Sequence, residues 1–350
     1  MAAPTVNPET NCGCGRGDFA PTAFAFRLNG RPFRLLRCLR CGRLLLDPRP
    51  SGAELAASYD TLYYGEGESK FIAPVEAFVE HFRGVRTREA DRLVSSATRA
   101  PAAGGSSPIR RVLDIGCGSG QFLSRLASRG YECHGTELSE ETARRAAAIP
   151  GVRLHVGAMG EHTYAPQSFD LISIWHVLEH LPDADDVVRH CRQWIRPEGF
   201  LMIAVPNISS WQAALFRGAW FHLDPPRHLL HFDPASLRAI LRAAGFQTLY
   251  IRHLSWEQNL YGYLQSSLNA LGFPRDQLSG LFKGSRPTRF PSSLILQAVL
   301  AAALLPPAVL ATALEAAVGR GGTIECVAVP ADIALRSHPQ SRETRPGSGT

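Results

Sequence analysis

The chain has 350 residues, 45% hydrophobic and 19% charged, enough for one large or two modest domains with a buried core, which excludes a disordered or collagenous chain. The formal charge of +6 invites a nucleic-acid partner, yet Lys occurs only at Lys70 and Lys283 among 37 cationic residues, an Arg habit of composition more than a phosphate-tracking surface. Eight Cys in this length exclude a small disulfide scaffold, and four of them before residue 42 point to metal.

Residues 1–11 hold Pro, Asn and Glu where the apolar core of a secretory signal would lie, so a cytoplasmic location is expected. Cys12 and Cys14 form C-x-C-G, and Cys38 and Cys41 form C-x2-C-G. Two tight turns of soft thiolates complete a tetrahedral zinc site, with Gly15 and Gly42 permitting the turns; four unmetallated thiols are the alternative. Alternation over 24–28 and 33–37 predicts the hairpin strands of a zinc-ribbon-like segment, 1–46, in which the metal is structural. A connector, 47–108, follows: a turn at 47–51, helices over 52–59 and 75–95, and a Pro-, Gly- and Ser-rich linker at 101–108 that marks a domain boundary.

Strand, glycine turn and helix then alternate. Strands are expected at 111–115, 131–136, 153–156, 169–174 and 200–205, then 246–254 and 323–329, with helices at 121–129, 140–148, 185–195 and 236–244. Such alternation demands crossover helices and a doubly wound, mostly parallel α/β sheet covered on both faces, built from 109–256 plus 320–330. An insertion, 257–319, separates the last two strands. Its run from Phe290 to Leu314 carries no charge and as one helix could span a bilayer of about 30 Å, but Pro306-Pro307 predicts a break into helices 294–305 and 308–318. A helical hairpin that covers an apolar substrate site or makes peripheral membrane contact through 290–318 is expected, with ordinary helical core as the alternative. The tail, 331–350, is polar and expected to be disordered.

Val112-Leu-Asp-Ile-Gly-Cys-Gly-Ser-Gly120 lies at the carboxyl end of the first strand of this alternation. Gly116, Gly118 and Gly120 let the backbone turn sharply and approach a ligand. Gln121 stands where a dinucleotide fingerprint wants its third glycine, which disfavours a nicotinamide cofactor. Glu137 follows the first glycine by about 20 residues, the separation at which a carboxylate accepts from ribose hydroxyls. An adenosine-containing ligand without a pyrophosphate is expected.

Asp114-x-Gly-x-Gly-x-Gly120, Glu137, Phe169-Asp170, Trp175-His-Val-Leu-Glu-His180 and Ile195-Arg-Pro-Glu-Gly through Val205-Pro-Asn207 together resemble the class I S-adenosylmethionine-dependent methyltransferases. The nearer likeness is to members with an N-terminal cysteine ribbon and a later Asp224-Pro-Pro-Arg-His228 segment. The resemblance implies a seven-stranded Rossmann-like sheet and S-adenosylmethionine as methyl donor. It also implies that Gly116 and Gly118 form the cofactor loop, Asp114 orients it, Glu137 takes the ribose and Leu138 lies against the adenine. Many members place an Asp where this chain has Ala158, so Met159 packing or backbone groups must hold the base.

Methyl transfer from a sulfonium needs alignment and exclusion of water, and an oxygen or carbon nucleophile gains from a base of near-neutral pKa. His176 and His180 follow the fourth strand of the alternation, while His222, His228 and His231 follow the fifth, at the sheet edge where open α/β sheets bind ligands. His228 is the foremost candidate base, His176 more a cofactor-facing residue, and His231 a third candidate or a loop tie. The plainer reading makes Glu179 and His180 ties for the following helix, and Cys117 a small filler. Asp224-Pro-Pro resembles the motif of methyltransferases acting on nucleic-acid bases, but there the motif follows strand four, so no nucleic-acid partner is expected. The expected activity is methylation of a small molecule, lipid-linked or saccharide, at oxygen. Two rivals are a nucleic-acid or protein methyltransferase whose ribbon recognises the polymer, and a catalytically silent cofactor-binding module.

Overall fold

Runs such as Val112-Leu113 and Leu171-Ile172 are apolar at consecutive positions, so both faces of their strands must be covered. In a computed structural model, which describes residues 12–15, 18–28, 30–59, 73–97, 109–157, 159, 163–273 and 292–332, they are. Val112, Leu171, Phe200 and Met202 pack on one face against Ala90, Val94, Phe122 and Leu123. Leu113, Ile115, Ile172 and Ile174 pack on the other against Val187, Val188 and Cys191.

Three strands open the described chain: β1 (Phe19–Leu28), β2 (Arg31–Cys38) and β3 (Leu44–Asp47). Helices α1 (Gly52–Ala57) and α2 (Ala73–Ser96) follow. The main sheet then takes β4 (Arg111–Ile115), β5 (Glu132–Glu137), β6 (Val152–Val156), β7 (Phe169–Trp175) and β8 (Ile195–Pro206). Its crossover helices are α3 (Gln121–Ala127), α4 (Glu140–Ala147) and α5 (Ala184–Trp194). After β8 come α6 (Trp211–Phe216), a two-residue strand β9 (Leu230–His231), α7 (Pro234–Ala243), β10 (Phe246–Arg252), α8 (Trp256–Ala270), α9 (Ser292–Ala317) and β11 (Thr323–Pro330).

The seven-stranded order is β10-β11-β8-β7-β4-β5-β6, the doubly wound Rossmann-like arrangement. Ladders among β4 to β8 are parallel, while β11 runs antiparallel to both β8 and β10. The chain leaves β4 toward β5 and β6, then returns to β7 on the other side. That reversal opens a crevice beyond the carboxyl ends of β4 and β7.

A second sheet, β1-β2-β3-β9, joins the cysteine-bearing strands to the loop after β8, through Leu44 opposite His231 and Leu45 opposite Leu230. Cys12, Cys38 and Leu45 also enter the core under the main sheet. The cysteine-bearing sheet is thus sewn into the α/β unit.

The expected hairpin of helices 294–305 and 308–318 is not what forms: α9 runs unbroken through Pro306 and Pro307. A proline removes an amide donor and crowds the carbonyl four residues back, but both prolines sit on the exposed side, where those carbonyls can tilt outward. Leu304, Ala308 and Ala311, on the opposite side, pack with Tyr263 and Leu264 of α8, contacts that a continuous helix retains. Ala158, the linker at 101–108, residues 274–291 of the insertion and the tail from 333 lie outside the described residues.

Candidate active site

The glycine loop sits at the crevice between β4 and β7. A Cβ on Gly116 (φ +70°) would stand 2.4 Å from Val177 Cγ2, so the turn closes against the segment after β7 only because that atom is missing. A Cβ on Gly118 (φ +57°) would meet nothing within 4 Å, so the loop faces open space there. Gly120 is the N-cap of α3, likewise at positive φ. The Gly118 amide donates to Glu137 Oε2 at 3.0 Å, and the Leu138 and Ser139 amides donate to Oε1 at 2.8 and 3.0 Å. Three backbone donors thereby fix the carboxylate at the tip of β5, beside the loop.

Leu138 is 62% exposed just past Glu137, available to a flat ring. Met159 is buried, its sulfur accepting from Thr136 Oγ1 at 3.3 Å. Asp114 is placed differently from what the resemblance implies. Its Oδ1 accepts from Ser173 Oγ at 2.6 Å, tying β4 to β7 rather than reaching the loop, and burial pushes its carboxyl up to about 7.

The other wall is rich in histidine. His176, just past the end of β7, has φ +54°, unusual for a side-chain-bearing residue, and its amide donates to the Ala204 carbonyl at 2.9 Å. His176 Nδ1 lies 3.5 Å from Glu179 Oε1. Glu179 is 1% exposed, neither of its carboxylate oxygens accepts a hydrogen bond among the described residues, and burial raises its carboxyl to about 7.

His228 is buried, with Nδ1 2.8 Å from the His222 carbonyl, Nε2 3.6 Å from Asp224 Oδ2, and its ring centroid 4.6 Å from that of His180. Burial, then the neighbouring His180, holds its pKa well below the ordinary value. The neutral ring therefore donates from Nδ1 to the carbonyl and keeps a lone pair on Nε2. Burial would raise the Asp224 carboxyl, but the Arg227 guanidinium outweighs it and holds it down at about 2. Arg227 Nε and Nη2 donate to the two Asp224 oxygens at 2.9 and 2.5 Å. His231 stands behind His228, centroids 6.1 Å apart, with Nδ1 3.0 Å from its neighbour Leu230 O and its pKa pushed down to about 3 by burial.

Sequence reading missed two partners here. Tyr59 Oη lies 3.0 Å from His180 Nδ1, bringing the connector to the site, and Glu179 is a buried carboxylate and not a helix tie. No local signal gives Tyr59 away, because His180 stands 121 residues further along the chain, and the burial of Glu179 depends on tertiary packing. Glu179, His180 and His228 present ligand atoms within 4.8 Å of one another, as do Cys12, Cys14, Cys38 and Cys41. In the cysteine group, Cys12 Sγ is 3.3 Å from Cys41 Sγ, and Cys14 Sγ is 3.6 Å from Cys38 Sγ. Bonds of ~2.3 Å to one tetrahedral ion would set sulfurs ~3.8 Å apart, so this set needs little adjustment to take zinc. Buried Arg43 donates from Nε to Cys41 Sγ at 3.4 Å and grips Asp185 of α5 from Nη1 and Nη2 at 2.6 and 3.0 Å. A hydrogen bond from Cys12, and then Arg43 against burial, lowers the Cys41 thiol to about 4.

A crevice at the switch point, an open glycine loop and an acid held at the tip of the next strand define a fold built around a nucleoside-type cofactor. Residues 80–251 match the methyltransferase domain family. A ubiquinone biosynthesis O-methyltransferase of Aromatoleum aromaticum is 31% identical over 166 residues, covering 42% of this chain and 68% of that protein. One of Thiobacillus denitrificans is 30% identical over 169 residues, covering 43% and 68%. The chain therefore belongs to the class I S-adenosylmethionine-dependent methyltransferases. Its match spans about two thirds of the length of these curated relatives, down to 65% for a 27%-identical one from Idiomarina loihiensis. An S-adenosylmethionine-dependent methyltransferase from Archaeoglobus fulgidus, 19% identical, superposes with a TM-score of 0.43 over 71% of this chain and 94% of its own.

Proposed function

We propose that the protein transfers the methyl group of S-adenosylmethionine to an oxygen of an apolar, lipid-borne small molecule at the cytoplasmic side of a membrane. The observation that carries the chemistry is the neutral, buried His228, whose Nε2 lone pair lies beside Asp224 at the acceptor wall. The cofactor, which Gly116, Gly118, Glu137, Leu138 and Met159 would hold, would supply an electrophilic methyl on a sulfonium and leave as the neutral thioether when its carbon–sulfur bond breaks. His228 Nε2 takes the proton of the acceptor hydroxyl as the oxygen forms its bond to carbon, and Asp224 stabilises the resulting imidazolium. His176 faces the cofactor from the end of β7, and His231 supports His228 from behind. The relatives named for O-methylation in ubiquinone biosynthesis support an oxygen acceptor on a lipid-soluble molecule.

Cys12, Cys14, Cys38 and Cys41 are read as a structural zinc site, with Arg43 offsetting the thiolate charge. Peripheral contact with a membrane through the described part of 290–318 belongs with a lipid-borne acceptor. Incubation with methyl-labelled cofactor and a bacterial lipid extract tests the whole. Label is expected in an organic-soluble ether. Cofactor binding with no transfer to any fraction would instead favour a silent binding module.

A further inference from the structure

Helix α9 is inside out. All fifteen exposed residues between Ser293 and Val318 are apolar, with Ile295 63%, Val299 60% and Leu310 60% exposed. The buried positions there are Leu294, Gln297, Ala308, Thr312 and Glu315, three of the five polar. Glu315 accepts from Gln212 Nε2 at 2.9 Å, from the Gly322 amide at 3.0 Å and from Tyr263 Oη at 2.9 Å, which anchors the helix to the α/β unit. A helix on a water-facing surface carries the opposite pattern.

We propose that α9 docks in the plane of an anionic lipid surface, with its exposed face in the boundary between headgroups and acyl chains. A protein partner is a poorer occupant: the exposed side chains are aliphatic throughout, with no aromatic or Arg anchor and no hydrogen-bonding group, the features that carry protein interfaces. Acyl chains ask for none of these.

Charge points the same way. No acidic residue occurs between Asp276 and Glu315, while Lys283, Arg286 and Arg289 precede the apolar run in sequence and exposed Arg320 follows it. Trp211, 41% exposed, donates its amide to the Arg320 carbonyl at 3.1 Å, so an aromatic ring suited to the headgroup layer stands beside the C-terminal end of the helix.

The length and hydropathy of 293–317 would also suit a span, but two features put the helix on the surface instead. Its polar face is committed to α8 and Glu315's partners. Pro306 and Pro307 also deprive two carbonyls of their helical donors on the exposed side, which water and headgroups can satisfy and a hydrocarbon interior cannot.

The docking extends the reading of a lipid-borne acceptor and rests on it only for its purpose, since a monotopic enzyme meets such a substrate without extracting it into water. Flotation of the full chain with vesicles of phosphatidylcholine, alone or mixed with phosphatidylglycerol, tests it. The protein is expected to float with the mixed vesicles and less with the neutral ones. Ile295→Glu with Val299→Glu and Leu310→Glu should lower the bound fraction at least about tenfold. The same three positions changed to Ala remove area without adding charge and should weaken binding in the same direction.

Cofactor affinity by titration calorimetry should stay unchanged in both variants, which certifies their fold. Absence of flotation, or equal flotation of wild type and variants, would overturn the docking. So would a lipid-free dimer that the variants dissociate, which would assign the face to a second copy, or resistance to alkaline extraction, which would make α9 a span. Failure of cofactor binding would sink the methyltransferase reading and leave the vesicle result standing.

Discussion

His228 and Glu137 divide the proposed chemistry between two residues that can be tested apart. His228→Ala is expected to lower kcat by about 10²–10⁴-fold with cofactor affinity unchanged. Because burial holds this ring neutral, the wild-type acid limb of kcat/KM should lie well below the ordinary histidine value of about 6.5. Glu137→Ala should reverse the pattern, weakening cofactor binding by at least about tenfold, with the loss of two ribose hydrogen bonds at ~1 kcal/mol each setting the scale. His231 carries a stability prediction. Its folded pKa is pushed down to about 3, so between 6.5 and 3 the unfolded chain holds a proton that the folded one does not. Its contribution is complete above pH 6.5 and is lost as pH falls toward 3. His231→Gln should therefore show a smaller drop in Tm between pH 7 and pH 5 than the wild type.

At the scale of elements, the clasp between the ribbon and α5 is Arg43 with Asp185. Arg43 is 1% exposed, so Asp185→Ala would leave a buried guanidinium without its carboxylate and should cost about 3 kcal/mol, read from denaturant titration. Nothing in the local sequence joins these residues, which stand 142 positions apart. The main strands, by contrast, were legible. The apolar run of Arg111–Ile115 and the glycine turn after it specify a buried parallel strand almost without context. Helix α9 shows the limit of the same reasoning. Two prolines signal a break in sequence, but contacts with α8 along the far side outweigh the lost hydrogen bonds, and only the packing reveals on which side the prolines lie.

The molecule as a whole is tied together by β9, whose two residues, Leu230 and His231, pair with Leu45 and Leu44 of β3. The cysteine sites at Cys12 and Cys38 also share a core with the main sheet. Stripping metal with a chelator should therefore lower the Tm of a single cooperative transition, not melt a separate ribbon ahead of the rest. Calorimetry with metal analysis by mass spectrometry checks this; two resolved transitions would show that the ribbon unfolds independently. The same linkage predicts that Cys38→Ser lowers turnover as well as metal content, since the loop with His228 lies next to β9 in the chain.

Sequence by itself determined the α/β alternation, the glycine loop and the grouping of four cysteines, because each depends on spacing within a few dozen residues: period-2 or period-3.6 burial, a glycine turn, a pair of cysteine knuckles. Tertiary structure alone decided what meets what. It brought Asp224 and His228 against His180, buried the Glu179 carboxylate beside His176, bound Arg43 to Asp185, and turned the polar side of α9 inward. Those outcomes follow from burial and charge pairing between segments far apart in the chain, and no periodicity within any one segment carries them.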